Sequence, residues 1–111
     1  MSEERARRVG LNEAIFRQVN EQILGLNQDF GTDGEVMTVI CECGDADCTE
    51  KLQLRAAEYE RVRGDSLLYI IARGHQFPDV ERVVAEADGY QVVEKRAGAA
   101  AEVAEETDPR S

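Results

Sequence analysis

Between Leu11 and Phe30, the apolar residues Leu11, Ile15, Phe16, Val19, Ile23, Leu26 and Phe30 recur mostly three or four positions apart. Glu13, Arg17, Gln18, Asn20, Glu21 and Gln22 fill the positions between them. That period predicts one amphipathic helix with an apolar stripe along it. Gly25 falls inside the pattern at a cost of about 1 kcal/mol relative to alanine, and Gly31 and Gly34 predict the helix end. The expected use of the stripe is to pack the helix on its own sheet. The alternative is that part of it forms a seam for a partner or, in a homodimer, for a second copy. The repeat is too short to predict a coiled coil.

Further on, the period changes from helical to alternating. Val36–Cys43 (VMTVICEC) is rich in β-branched residues and predicts a strand. Met37, Val39, Cys41 and Cys43 share one face of that strand, and Val36, Thr38, Ile40 and Glu42 the other. Gly44–Asp47 reads as a turn, Thr49–Leu54 as a returning strand, and Arg55–Arg63 as a short helix with Tyr59 and Val62 inward. Leu67–Arg73 (LLYIIAR) is the most apolar segment and predicts a central strand. Val80–Ala85 and Tyr90–Lys95 flank Asp88-Gly89, a hairpin-turn dipeptide. A helix over residues 79–87 competes with that hairpin, because Val80, Val83, Val84 and Ala87 also fit a helical period. Residues 1–8 are polar and expected to fray. Residues 97–111 are small and acidic and are expected to form a flexible tail or a loose helix. The fold class is α+β: an N-terminal amphipathic helix on a small, mainly antiparallel sheet, with a short second helix, in one domain spanning residues 9–96.

The chemistry is concentrated in eight residues. All three cysteines lie in Cys41-Glu42-Cys43-Gly44-Asp45-Ala46-Asp47-Cys48, and the only histidine is His75. Three thiolates and one imidazole form a complete tetrahedral ligand set for one structural zinc ion. Cys41 and Cys43 leave one strand face with Cα atoms about 6.5 Å apart. Sulfurs on zinc, with bonds of about 2.3 Å, must lie roughly 3.8 Å apart, so the chain has to bend, and Gly44 is the expected source of that freedom. The loop over Asp45–Asp47 then returns Cys48. His75 must arrive from the end of another strand, so the metal would cross-link distant parts of the fold. C-x-C-x4-C with a distant histidine is not a common zinc-finger spacing. The competing readings are reduced cysteines packed as small hydrophobes, a redox thiol group, and an iron–sulfur cluster, which most often uses four cysteines. Glu42, Asp45, Asp47 and Glu50 are expected to form a solvated acidic rim.

Composition narrows the function. With 13 Lys plus Arg against 23 Asp plus Glu, the chain carries a formal charge of −10, which argues against a nucleic-acid partner and against anionic membranes. The longest apolar run, Leu67–Ala72, falls far short of the roughly 20 residues that span a bilayer. No secretory pattern opens the chain, so a cytoplasmic location is expected, where clustered cysteines more often bind metal or do redox chemistry than form disulfides. Four protein ligands would close a zinc site to substrate. With His75 committed, no Cys–His or Ser–His pair remains for covalent catalysis, and no glycine-rich phosphate loop is present. The expectation is therefore not an enzyme but a zinc-stabilised protein-interaction or regulatory module. The alternative is a thiol-based redox or metal sensor that releases zinc on cysteine oxidation.

Several motifs occur in a recognisable order: N-E-x-x-F-R-x-V-N-E at Asn12–Glu21, C-E-C-x4-C-T-E from Cys41, E-Y-E-x-V-R from Glu58, Gly74-His75, and Y-x-V-V-E-K from Tyr90. In this the chain resembles, over about Asn12 to Lys95, a family of small bacterial proteins of uncharacterised function. Arg73 departs from the family pattern, which tends to have proline before Gly-His. The resemblance implies that Cys41, Cys43, Cys48 and His75 belong together, and it implies no activity.

Overall fold

The computed structural model describes residues 1–29 and 36–110. Phe30, Gly31 and Gly34 lie outside the described residues. The elements run α1 (Glu3–Asp29), β1 (Val36–Ile40), β2 (Lys51–Arg55), α2 (Ala56–Arg63), β3 (Leu68–Ile71), β4 (Glu81–Ala87), β5 (Tyr90–Lys95) and α3 (Ala99–Glu106). The class is α+β, as expected, with an N-terminal helix and short antiparallel sheets.

β1 and β2 form a two-stranded antiparallel sheet in which Met37 pairs with Leu54 and Val39 with Leu52. These four side chains are buried and their neighbours face outward, as the alternating pattern requires. The second sheet has the order β3-β5-β4. Its hairpin closes Ala87 against Tyr90 around Asp88-Gly89, and Gly89 adopts φ +87°, a conformation that glycine reaches without steric cost. Residues 81–87 are therefore strand rather than helix.

Three features differ from the sequence reading. β5, not the more apolar β3, is the central strand. Tyr69, Ile70 and Ile71 of β3 are buried because α2 and the 41–43 segment cover them, not because β3 is flanked by two ladder partners. Residues 99–106 form a helix, one of the two expectations for the C-terminal segment, but a packed one that buries Ala100, Ala101, Val103 and Ala104. Small side chains are what allow α3 to lie close along α1.

The third difference concerns α1, which begins at Glu3 and runs for 27 residues. Its buried positions are Val9, Gly10, Glu13, Arg17, Asn20 and Leu24, so its core-facing side is largely polar. Leu11, Ile15, Val19 and Leu26 of the expected core stripe are exposed, while Phe16 and Ile23 are half-buried. The inward polar groups are each tied down. Glu13 and Glu81 both ion-pair with the fully buried Lys95. Arg17 donates from Nη1 to the Ser66 carbonyl at 2.7 Å and from Nη2 to the Ala104 carbonyl at 2.8 Å, which places a cation at the C-terminal turn of α3. The Arg17 guanidinium also lies 4.7 Å from the Tyr69 ring centre, and the Lys95 ammonium 5.1 Å. Glu21 pairs with buried Arg63 at 3.0 Å. Charge can be buried here only because it is paired and hydrogen-bonded.

Candidate metal centre

The 41–43 segment passes between the two sheets. The Cys41 amide donates to the Glu50 carbonyl at 2.9 Å, continuing the β1–β2 ladder, and the next amide, of Glu42, donates to the Ile70 carbonyl at 2.8 Å. This switch of partners turns the strand and lets Cys41 and Cys43 converge. Asp45 then builds the return: its Oδ1 accepts the Asp47 amide at 2.9 Å and its carbonyl accepts the Cys48 amide at 3.0 Å. An aspartate bonding its own backbone two residues on is a common turn device.

Gly44 serves differently from the sequence expectation. Its φ is not positive, so backbone freedom is not what the position demands. A Cβ there would collide with Cγ1 of Val9, and the Asn12 side chain donates from Nδ2 to the Gly44 carbonyl at 2.9 Å. Glycine lets the cysteine loop lie directly on α1.

His75 reaches the cluster from the far side. Gly74, at φ +84°, reverses the chain after β3, and its amide donates to the Gln91 side chain at 3.0 Å. The His75 amide donates to the Ala72 carbonyl at 3.0 Å, and the Phe77 amide donates to Glu81 at 3.0 Å. The loop is thus anchored on both sides of the imidazole.

The structure brings all four expected residues together. His75 Nδ1 lies 3.7 Å from Cys41 Sγ and 3.6 Å from Cys48 Sγ, and the candidate ligand atoms of Cys41, Cys43, Cys48 and His75 all lie within 4.8 Å of one another. With metal bonds of about 2.3 Å to sulfur and 2.0–2.1 Å to nitrogen, a tetrahedral site has sulfur–nitrogen edges of roughly 3.6 Å. The two His75–sulfur spacings therefore match the sulfur–nitrogen edges of a coordination tetrahedron, and the fold already gathers all four ligand atoms around one point. Cys41 and Cys43 are buried, and Cys48 and His75 are half-buried. A cleft of about 270 Å³ lined by Cys43, Asp45, Gly74, His75, Gln76 and Phe77 opens beside them.

The thiols are electrostatically unequal. Hydrogen bonding from Cys41, helped by the Asp45 amide, His75 and Cys48 against the effect of burial, brings Cys43 down to about 5. The same Cys41–Cys43 hydrogen bond, together with burial, pushes Cys41 up, with the Ala72 amide opposing. Burial, with the nearby Cys43, pushes Cys48 up. Among themselves the thiols favour one thiolate, at Cys43. Holding three requires a bound cation, which is what a divalent soft-ligand metal supplies.

One part of the expected acidic rim changes. Asp45, Asp47 and Glu50 are exposed, as an acidic rim should be, but Glu42 is fully buried. Its Oε2 accepts the Tyr59 hydroxyl at 2.6 Å and the Asn20 amide at 2.9 Å, and its Oε1 accepts the Ile70 amide at 3.0 Å. Burial pushes this carboxyl up, against the three donors and Arg63. Asn20 completes the clasp on the strand: it donates to the Ile40 carbonyl at 2.8 Å and accepts the Ile40 amide at 2.9 Å. The Ala72 amide donates to Cys41 Sγ at 3.1 Å, a contact that stabilises a thiolate ligand. The sequence did contain a signal for this polar clasp: Glu13, Arg17, Asn20, Glu21 and Leu24 recur at helical spacing, on the face opposite the apolar stripe.

No protein family, curated protein or solved structure matches this chain. The candidate site therefore rests on its own geometry. Among the described residues, no helix is long and apolar enough to cross a membrane.

Proposed function

We propose that this is a small cytoplasmic protein whose fold is closed by one structural zinc ion held by Cys41, Cys43, Cys48 and His75, and that it works as a protein-interaction or regulatory module. The observation that carries the metal reading is the spacing of His75 Nδ1 from Cys41 and Cys48, 3.7 and 3.6 Å, within a four-ligand cluster drawn from two separate loops. Zinc suits the donor set, because three soft sulfurs and one imidazole match its preferred tetrahedral structural sites. Four protein ligands leave no open position for substrate, which is the ground for reading the site as structural rather than catalytic.

The energetic reading follows from the connectivity. Structural zinc sites carry apparent binding free energies of about 10–16 kcal/mol, against a total stability of about 5–15 kcal/mol for an ordinary domain. The purified protein should hold about one equivalent of zinc by elemental analysis, and His75→Ala should reduce that content. Chelation should lower the thermal midpoint steeply. A reduced, metal-free protein with an unchanged midpoint, or zinc retention by His75→Ala equal to that of the parent, would overturn the reading.

One observation favours a second reading, a thiol-based sensor. Cys48 sits half-exposed in a loop whose neighbours Asp47 and Thr49 are exposed, and Cys43 borders the open cleft. Two thiolates and hydrogen peroxide can give a disulfide with release of the metal, the peroxide being reduced to two hydroxide ions. Zinc release by mild peroxide, reversed by a thiol reductant, would favour that reading over a purely structural role.

A further inference from the structure

The polarity of α1 is inverted with respect to the rest of the molecule. Between Leu11 and Leu26 the charged residues are Glu13, Arg17 and Glu21. The first two are fully buried and the third is 15% exposed. The outward face instead carries Leu11 (41% exposed), Ile15 (61%), Val19 (37%) and Leu26 (58%), with Gln18 and Gln22 between them. A groove of about 340 Å³ runs along this face, bordered by Leu11, Ala14, Ile15, Val19 and Gln22 and by Thr107 at the end of α3. Scattered apolar residues on a surface need no explanation, but a contiguous row along one helix marks an interface.

We propose that this face is the seam of a homodimer in which α1 packs antiparallel against α1 of a second copy. Two observations and the symmetry they permit argue for a second copy as the occupant. First, the row contains no charged side chain although the chain carries −10 overall. An acidic molecule can meet its own copy without opposing like charges only across such a face, whereas a basic partner would be matched by acidic groups along the row. Second, an antiparallel pairing about a two-fold axis between Gln18 and Val19 would set Leu11 against Leu26 of the partner subunit, Ile15 against Gln22 of the partner subunit and Gln18 against Val19 of the partner subunit, with no charge opposed to charge at any of them. An isologous interface requires this kind of pairing, in which each contact is repeated by symmetry. Third, Gly25 lies one heptad beyond Gln18 on the same seam, and among the described residues a Cβ added there meets nothing within 4 Å. The helix bears a propensity loss of about 1 kcal/mol at that position with no contact among the described residues to require it. Close approach of another helix supplies the reason.

The scale is also consistent. Sixteen residues of helix extend about 24 Å. A helix-pair contact of that length buries on the order of 1,000 Å² in total, at the low end for specific interfaces, so a reversible dimer in the micromolar range is the expected state.

The test is sedimentation equilibrium on the full chain as purified, with its metal. The parent protein should show a monomer–dimer equilibrium. Ile15→Lys should raise the dissociation constant by about tenfold or more, with helix content and zinc content unchanged because the side chain faces solvent in the monomer. Leu11→Glu and Leu26→Lys should each dissociate the dimer, and the double variant should restore it. Antiparallel pairing sets the introduced carboxylate of each copy against the introduced ammonium of the other, twice per dimer; a parallel pair would set like charges together. A parent protein monomeric to several hundred micromolar, a dimer indifferent to Ile15→Lys, or a double variant that stays monomeric would overturn the proposal. So would a monomer that floats with vesicles of phosphatidylcholine and phosphatidylglycerol, which would assign the row to a lipid surface.

Discussion

Glu42 and Ile70 are joined twice: the Glu42 amide donates to the Ile70 carbonyl at 2.8 Å, and the Glu42 side-chain Oε1 accepts the Ile70 amide at 3.0 Å. One residue thus acts as both backbone neighbour and side-chain clamp for the first strand of the second sheet. It stands between Cys41 and Cys43, so the clamp also sets the two sulfurs of the candidate metal centre. Asn20 and Tyr59 bind the other carboxylate oxygen, which ties α1 and α2 to the same point.

Glu42→Ala should therefore be among the most damaging single changes. It strands three buried donors, each worth about 1–3 kcal/mol when left unpaired, so a loss of at least about 3 kcal/mol is expected in denaturant unfolding. The zinc-loaded variant should also surrender its metal to a chelator faster than the parent. A variant with parent stability and parent chelation rate would show that Glu42 positions nothing.

The buried Glu13–Lys95–Glu81 group makes a graded prediction. Burial, reinforced by the hydrogen bond with Glu81, pushes Glu13 well above the ordinary carboxylate range, with Lys95 opposing. Glu13→Gln keeps the shape and hydrogen-bonding capacity of the side chain and leaves Glu81 to neutralise Lys95, so it should cost less than about 1.5 kcal/mol. Lys95→Met removes the one cation between two buried carboxyl groups and should cost about 3–5 kcal/mol. Equal losses for the two variants, measured by urea unfolding, would show that Lys95 is no more essential to the group than Glu13.

The contact between Gly44 and Val9 predicts a compensating pair. Gly44→Ala should destabilise by about 1–3 kcal/mol through overpacking, and Val9→Ala should make room for the added methyl. In a double-mutant cycle the combined loss should be smaller than the sum of the single losses. Additive losses would mean that backbone conformation, not the approach of α1, requires glycine.

Local chemistry was readable wherever the deciding contacts lie close in sequence. The Asp88-Gly89 turn, the alternation of Met37, Val39, Leu52 and Leu54, and the short helix ending at Arg63 follow from backbone preference and from one face meeting one core. The four candidate ligands were also readable, because thiols and imidazole are scarce in this chain and their chemistry is restrictive. α3 was not, because Ala100, Ala101, Val103 and Ala104 bring too little apolar area to predict burial until a long neighbouring helix is there to receive them.

The orientation of α1 shows where the sequence by itself stops. Periodicity determined that residues 11–26 are helical and two-faced, since that depends only on the spacing of side chains along the chain. Which face turns inward was decided by Lys95, Ser66, Ala104, Ile40 and Glu42, all remote in sequence, which supply a partner for Glu13, Arg17 or Asn20. A buried polar face is stable only when each group is matched, and matching is a property of the assembled structure. The tertiary fold therefore buried the polar face of α1 and turned its apolar face outward.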